Sequence, residues 1–313
     1  MKIKKIFFMF IVLMLFVCGS YFGYKYYANL KDAERQQALI GQRALAWQSL
    51  RQKITNKITQ FKGEAGVVIK DLRNNWEISY DKDELFPSAG LISIPIMSAC
   101  FLAAEEGRIK LDREVSLKNS GKLAGFGRLK GARTGGTYSI EELIGRMIYG
   151  SDNTATNMLT NVVGIDYLNN AFNSFGLKNT NFSCKAANFF SRNKGIENYT
   201  SAEDMASIFE RMYRKNLVNK DVSEKCLKLL RLQGANDRIP KHLPVDVTVV
   251  HKTGLERSVC HDVGIVFSPK GDFLICVLTR YANSNSLPSK EFIAEVASHT
   301  YAYLEQLNKG GLR

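Results

Sequence analysis

Strand-forming patterns occur at only two places in this chain, and they lie far apart. Glu64–Lys70 (EAGVVIK) and Trp76–Tyr80 (WEISY) flank the turn-favouring pair Asn74-Asn75 and read as a hairpin. The other runs come late: Val245–Lys252 (VDVTVVHK), Asp262–Ser268 (DVGIVFS) and Asp272–Arg280 (DFLICVLTR). A turn over Ser268–Gly271 sets Cys276 opposite Val263, not Cys260. Residues 108–245 carry helical spacing and polar loops, clearest over Ile140–Tyr149 and Ala202–Leu217. An apolar helix over Gly90–Gly107 precedes them, and Ser289–Leu307 reads as a closing helix. The order predicts an α/β (α+β) fold. An antiparallel sheet drawn from both ends is flanked by helices, with an all-α subdomain inserted between.

The N-terminus adds a membrane segment. Lys2, Lys4 and Lys5 precede 19 residues without a charge, Ile6 to Tyr24. As a helix this run spans ~28 Å, close to a hydrocarbon core of ~30 Å. A cleaved signal peptide is the competing reading, but no Ala-x-Ala precedes a cut. Val17 before Cys18 does not suit a lipoprotein. An uncleaved anchor with its N-terminus inside is preferred, and both readings take the body out of the cytoplasm. Residues 27–62 read as helix, with Trp47, Leu50, Ile54, Ile58 and Phe61 at helical spacing and Gly41 a weak point. The expected domains are an anchor (1–25), a stalk and first packing helix (26–62), and a body (63–313) with its all-α insertion at about 108–245.

Charge enters here. Of 313 residues 45% are hydrophobic and 23% charged, which excludes a disordered, collagen-like or polytopic membrane chain. The net charge of +13 favours anionic surroundings. Residues 1–30 hold four lysines and no acid, so +9 belongs to the exported part. Outside the cytoplasm the anionic partner is an envelope rather than nucleic acid. Of six cysteines, five lie beyond the apolar run, and none shows C-x-x-C spacing. They read as buried apolar residues. The histidines are scattered, and neither a metal nor another cofactor is assigned.

Two triplets carry chemistry. Ser151-Asp152-Asn153 stands in Gly150–Asn157 (GSDNTATN), and Lys252-Thr253-Gly254 ends an apolar strand. Alone, each has an ordinary explanation: a helix N-cap for the first, a strand exit for the second. Together, about 100 residues apart and in this order, they are the second and third elements of active-site serine acyl-transfer enzymes.

The chain here resembles the class A β-lactamase and penicillin-binding-protein superfamily, from about Glu64 to Leu307. DELFPSAGLISIPIM, GIENYTSAEDM, DRIP and HKTG…HDVGIVF extend the likeness. The resemblance implies a sheet-and-helix region beside an all-α region, with the site between them. It also implies a Ser-x-x-Lys opening the buried helix after Phe-Pro-x-Ala. In that register Gly90 holds the nucleophile position and Ser93 the lysine position. Glycine has no side chain to attack a carbonyl, and serine is a poor base near neutral pH.

Other serines offer little. Three residues beyond Ser88, Ser93 and Ser98 stand Leu91, Ile96 and Phe101. Ser79…Lys82 and Ser191…Lys194 have the spacing but head no apolar helix. The family's loop motif Glu-x-x-Leu-Asn is missing too, since the only acid between Asn181 and Thr200 is Glu197, followed by Asn198-Tyr199. Cys260 stands before His261-Asp262 where relatives often place Arg, which implies one missing cation. What remains suits binding. Lys252 and Thr253 offer a cation and a hydroxyl to a carboxylate, Ser151 and Asn153 offer hydrogen bonds to an amide, and Gly254 completes the expected binding set.

Three functions compete. The preferred one is a membrane-anchored, catalytically impaired β-lactamase-like protein that binds a peptidoglycan-type stem peptide, a β-lactam without covalent attachment, or a protein partner. The second is an active β-lactamase or D,D-peptidase working through Ser88 or Ser93. The third is an interaction protein whose working part is the 27–62 helix.

Overall fold

A computed structural model describes residues 2–183, 197–269, 271–282 and 285–309. Its main sheet has five strands: β1 (Glu64–Asp71), β2 (Trp76–Tyr80), β7 (Thr248–Glu256), β8 (Val259–Phe267) and β9 (Phe273–Arg280). They lie in the order β2-β1-β9-β8-β7, every neighbouring pair antiparallel. The early hairpin thus joins the late meander through the β1–β9 pairing. Cys276 stands opposite Val263 and Cys260 opposite Thr279, the register expected from the Ser268–Gly271 turn. Short pairs β3 (Phe86–Pro87) with β6 (Tyr199–Thr200), and β4 (Glu114–Ser116) with β5 (Thr137–Ser139), tie loops together.

Both faces of the sheet are covered, and strand alternation divides the core. Val67, Ile69, Phe273, Ile275 and Val277 pack with helix α1 (Lys2–Gln60) and helix α8 (Leu287–Lys309) through Leu50, Ile54, Phe292 and Val296. Val68, Leu274, Cys276 and Leu278 turn the other way, onto α2 (Ser93–Glu105) and the helical region. That region holds α3 (Ile140–Gly150), α4 (Asn153–Val163), α5 (Ile165–Ser174), α6 (Ala202–Tyr213) and α7 (Lys220–Leu230). Ser139, Asp152, Ser201 and Asn219 cap α3, α4, α6 and α7 with side-chain oxygens.

Three elements differ from expectation. The apolar N-terminal segment and the helix expected over 27–62 form one unbroken helix that ends at Gln60, with no proline to interrupt it. The helix expected from Gly90 opens as a 3-10 turn, Ala89–Ile92, before α2 begins. Pro95 in the first turn of α2 has no N–H to give the Leu91 carbonyl. Finally, Lys252-Thr253-Gly254 does not end its strand. Thr253, Gly254, Leu255 and Glu256 pair with Asp262, His261, Cys260 and Val259, so the ladder outruns the apolar pattern.

Cys100, Cys226, Cys260 and Cys276 are buried free thiols and Cys18 is exposed; Cys184 lies outside the described residues. Ser191 and Lys194 lie outside them too.

Candidate functional site

Three elements meet at one cavity of about 540 Å³: the 3-10 turn before α2, the α3–α4 junction, and β7. The two triplets therefore come together. Lys252 is fully buried, and its Nζ donates to Ser151 Oγ at 2.8 Å and to the Thr253 carbonyl at 3.1 Å. One hydrogen bond thus joins the sheet to the helical region. Burial pulls the Lys252 ammonium down to about pKa 8; buried Asp262 works against this shift and Arg238 adds to it.

Ser151 owes its position to a left-handed backbone (φ 46°) at the C-terminus of α3. Asp152 then starts α4, its Oδ1 accepting from Thr154 N–H and Ala155 N–H. Its Oδ2 accepts from Arg128 N–H at 2.7 Å and Leu129 N–H at 2.9 Å. This buried carboxylate holds the preceding loop against the cavity. Asn153 does similar work: its Nδ2 donates to the Ala124 carbonyl at 2.9 Å. Phe126 and Tyr149, both exposed, stand at the rim.

Gly90 lies beneath Lys252. A β-carbon built there would be 3.4 Å from Lys252 Nζ but only 2.8 Å from the Thr253 carbonyl oxygen. The backbone of β7 leaves no room for a side chain without a shift. Ser93, in the first turn of α2, donates from Oγ to the Gly90 carbonyl at 2.7 Å. Ser88 is buried at the cavity wall, its N–H donating to the Asn198 carbonyl. Thr253 Oγ1 accepts weakly from Gln233 Nε2 at 3.4 Å. Gly254 packs over His261, where a β-carbon would meet Cδ2 at 3.2 Å. His261 donates from Nε2 to the Pro87 carbonyl and accepts from Thr279 N–H at Nδ1. Burial lowers its pKa to about 4, so it stays neutral.

Arg238 had been missed by motif reading, although DRIP belongs to the resemblance. It is almost wholly buried, lines the cavity, and donates from Nε to Cys260 Sγ at 3.2 Å. A guanidinium therefore stands at Cys260 after all, supplied by the loop before β7 instead of by β8. Its signal in the sequence was an arginine followed by Ile-Pro, which fixes a turn. Glu197 also lines the cavity despite lying outside any loop motif. Among the described residues no three His, Cys, Asp or Glu side chains cluster as metal ligands do.

A sheet backed by two long helices, beside a helical region, with lysine, serine and arginine converging between them, defines a serine β-lactamase-type protein. The β-lactamase enzyme family model matches residues 49–304, and the chain belongs to that family. Among solved structures it is similar to PBP-A, with TM-score 0.77 and 26% identity over 83% of this chain and 97% of that one. A point mutant of PBP-A, solved as an acyl-enzyme complex with penicillin G, is 27% identical, with TM-score 0.77 over 83% of this chain and 97% of that one. The β-lactamase from Sphaerobacter thermophilus DSM 20745 is 24% identical, with TM-score 0.74 over 83% of this chain and 98% of that one. A search of the curated proteins finds no match.

Proposed function

We propose that this chain is a membrane-anchored, extracytoplasmic β-lactamase-fold protein that binds a carboxylate-ended peptide, of the peptidoglycan-stem type, and does not cleave it. The observation that carries the reading is at Gly90. Arg238 lines the cavity and Lys252 lies buried just behind Ser151 and Gly90, yet the position beneath Lys252 bears no side chain and the Thr253 carbonyl crowds the space for one. Ser93 stands where the resemblance expects a lysine, and its hydroxyl is engaged with the Gly90 carbonyl. A point mutant of PBP-A was solved as an acyl-enzyme with penicillin G; here the register of the resemblance holds Gly90 and offers no nucleophile.

The binding roles follow from donor chemistry. Lys252 and Arg238 face the ligand carboxylate with Thr253 beside them. Ser151 and Asn153 take the amide, and Gly254 allows the peptide to lie close to β7. A β-lactam carries a carboxylate and an amide in similar relation and fits the same groups without a covalent bond. The first 25 residues hold the protein in the membrane, residues 26–62 lead to the body, and residues 63–313 form it. The continuity of α1, exposed along its apolar part, supports an uncleaved anchor.

The test is calorimetric titration of the full chain in detergent with a peptide ending in D-Ala-D-Ala. Saturable heat that drops in Lys252→Ala supports the reading. Its absence from the wild-type chain overturns it.

A further inference from the structure

The cavity is lined by several hydroxyls, and two of them are committed to backbone. Ser93 Oγ donates to the Gly90 carbonyl at 2.7 Å, and Thr156 Oγ1 donates to the Asp152 carbonyl at 3.0 Å. Ser151 differs. Its Oγ lies 2.8 Å from a lysine nitrogen, opens onto the cavity, and is fixed by the left-handed residue that closes α3. The lysine is anchored in the middle of a strand ladder and has no freedom to swing into water. We infer that Ser151 and Lys252 form a nucleophile–base pair that takes the acyl group of a short-chain ester with a good leaving group. This activity uses two of the residues assigned to peptide recognition but does not depend on that recognition.

The chemistry needs Lys252 uncharged. The charged groups acting on its nitrogen are Asp262 from β8 and Arg238 from the loop before β7, while the turn before α2 presents Gly90 and α2 presents Ser93. Burial outweighs the carboxylate, so a useful fraction of the lysine is neutral at mildly alkaline pH. In that state the hydrogen bond reverses, and the Ser151 hydroxyl donates to Nζ. Oγ then bonds to the ester carbonyl carbon and its proton passes to Nζ. The carbonyl carbon–oxygen bond to the leaving group breaks, and that oxygen departs with the electron pair. The products are an O-acyl serine, a lysine ammonium and the alkoxide or aryloxide.

The first four N–H groups of α4, from Asn153 to Thr156, are all engaged: with Phe126, twice with the Asp152 side chain, and with the Asp152 carbonyl. No donor there waits for an oxyanion. The pair therefore suits esters whose leaving group is already stable, and an unactivated peptide bond lies beyond it.

The probe is p-nitrophenyl acetate with the full chain in detergent, followed by peptide mapping. The expected result is one acetyl group on Ser151, resistant to neutral and removed by alkaline hydroxylamine, formed at a rate that rises with pH and levels above about 8. Ser151→Ala should lower the burst of nitrophenolate by about 10²-fold, with circular dichroism showing that the variant is still folded. The pH profile of the wild-type chain reports on Lys252 directly, without a substitution at the lysine. Acetyl found on Ser88 or Ser93 instead, no serine ester at all, or a rate flat with pH would each overturn the inference.

Discussion

The carbonyl oxygen of Thr253 lies 2.8 Å from the point where a β-carbon on Gly90 would stand. Real carbon–oxygen contacts are longer, so the strand has settled into space that a side chain would need. A glycine at position 90 is thus matched to the close approach of β7. Gly90→Ser should cost about 1–3 kcal/mol of stability by overpacking, read as a lower denaturation midpoint. The double variant Gly90→Ser, Ser93→Lys should nevertheless gain a fluorescent penicillin adduct on the introduced serine. The wild-type chain should show none on residues 88–93. A label on wild-type Ser88 or Ser93 would restore the displaced-nucleophile reading.

Arg238 brings a cation to the cavity wall from a loop. Arg238→Ala removes a buried guanidinium and its bond to Cys260 Sγ. Carboxylate binding should weaken by about 1.5–3 kcal/mol, roughly 10- to 100-fold. Titration with an amidated peptide is the control, and it should lose little between wild type and variant. Equal losses for both peptides would remove Arg238 from carboxylate recognition.

Lys252 gives opposite pH effects on ligand binding and on folding. Its folded pKa is about 8 against an ordinary 10.5, so above about 8 the folded chain has shed a proton that the unfolded chain still holds. Stability therefore rises with pH between these two values. Carboxylate affinity falls over the same range, because the cation that attracts the ligand is gone. His261, lowered to about 4 from 6.5, works at the acid end. Between those values the unfolded chain binds the proton first, so stability drops as the pH falls. Chemical denaturation across pH, with Lys252→Met as the reference, should show the alkaline rise vanish.

Asp152 anchors the cavity wall through four backbone N–H groups: Thr154, Ala155, Arg128 and Leu129. Asp152→Ala strands these donors and uncaps α4. A loss of about 3 kcal/mol or more is expected from unsatisfied buried groups and the cap together. Hydrogen exchange should then rise at residues 123–129. Unchanged exchange there would show that the loop stands without the carboxylate.

Much of this fold could be read from short-range pattern. Asn74-Asn75 and Ser268–Gly271 announced their hairpins because turn chemistry is local, and the Cys276–Val263 register followed from counting residues back from the turn. The two triplets were legible as a pair because each sits where an element begins or pairs. The continuation of β7 past Gly254 was not legible, since hydrogen bonds to β8 extend the strand beyond its apolar residues. Arg238 was hidden for a related reason. A cation was sought on β8 beside His261, whereas the fold brings one from a neighbouring loop onto Cys260. Glu197, set aside for lack of a motif, lines the cavity because β6 pairs with β3 just before the 3-10 turn. Such placements depend on tertiary contacts that no local spacing encodes.

On the proposed function the cavity holds a carboxylate-ended peptide and no acyl transfer takes place at the Gly90 position. The most direct measurement incubates the full chain with a peptide ending in D-Ala-D-Ala at neutral pH and recovers the peptide for mass analysis after equilibrium binding is recorded. The expected result is saturable binding, intact peptide and no adduct on residues 88–93. Free D-alanine released in proportion to enzyme, or no binding at any peptide concentration, would contradict it.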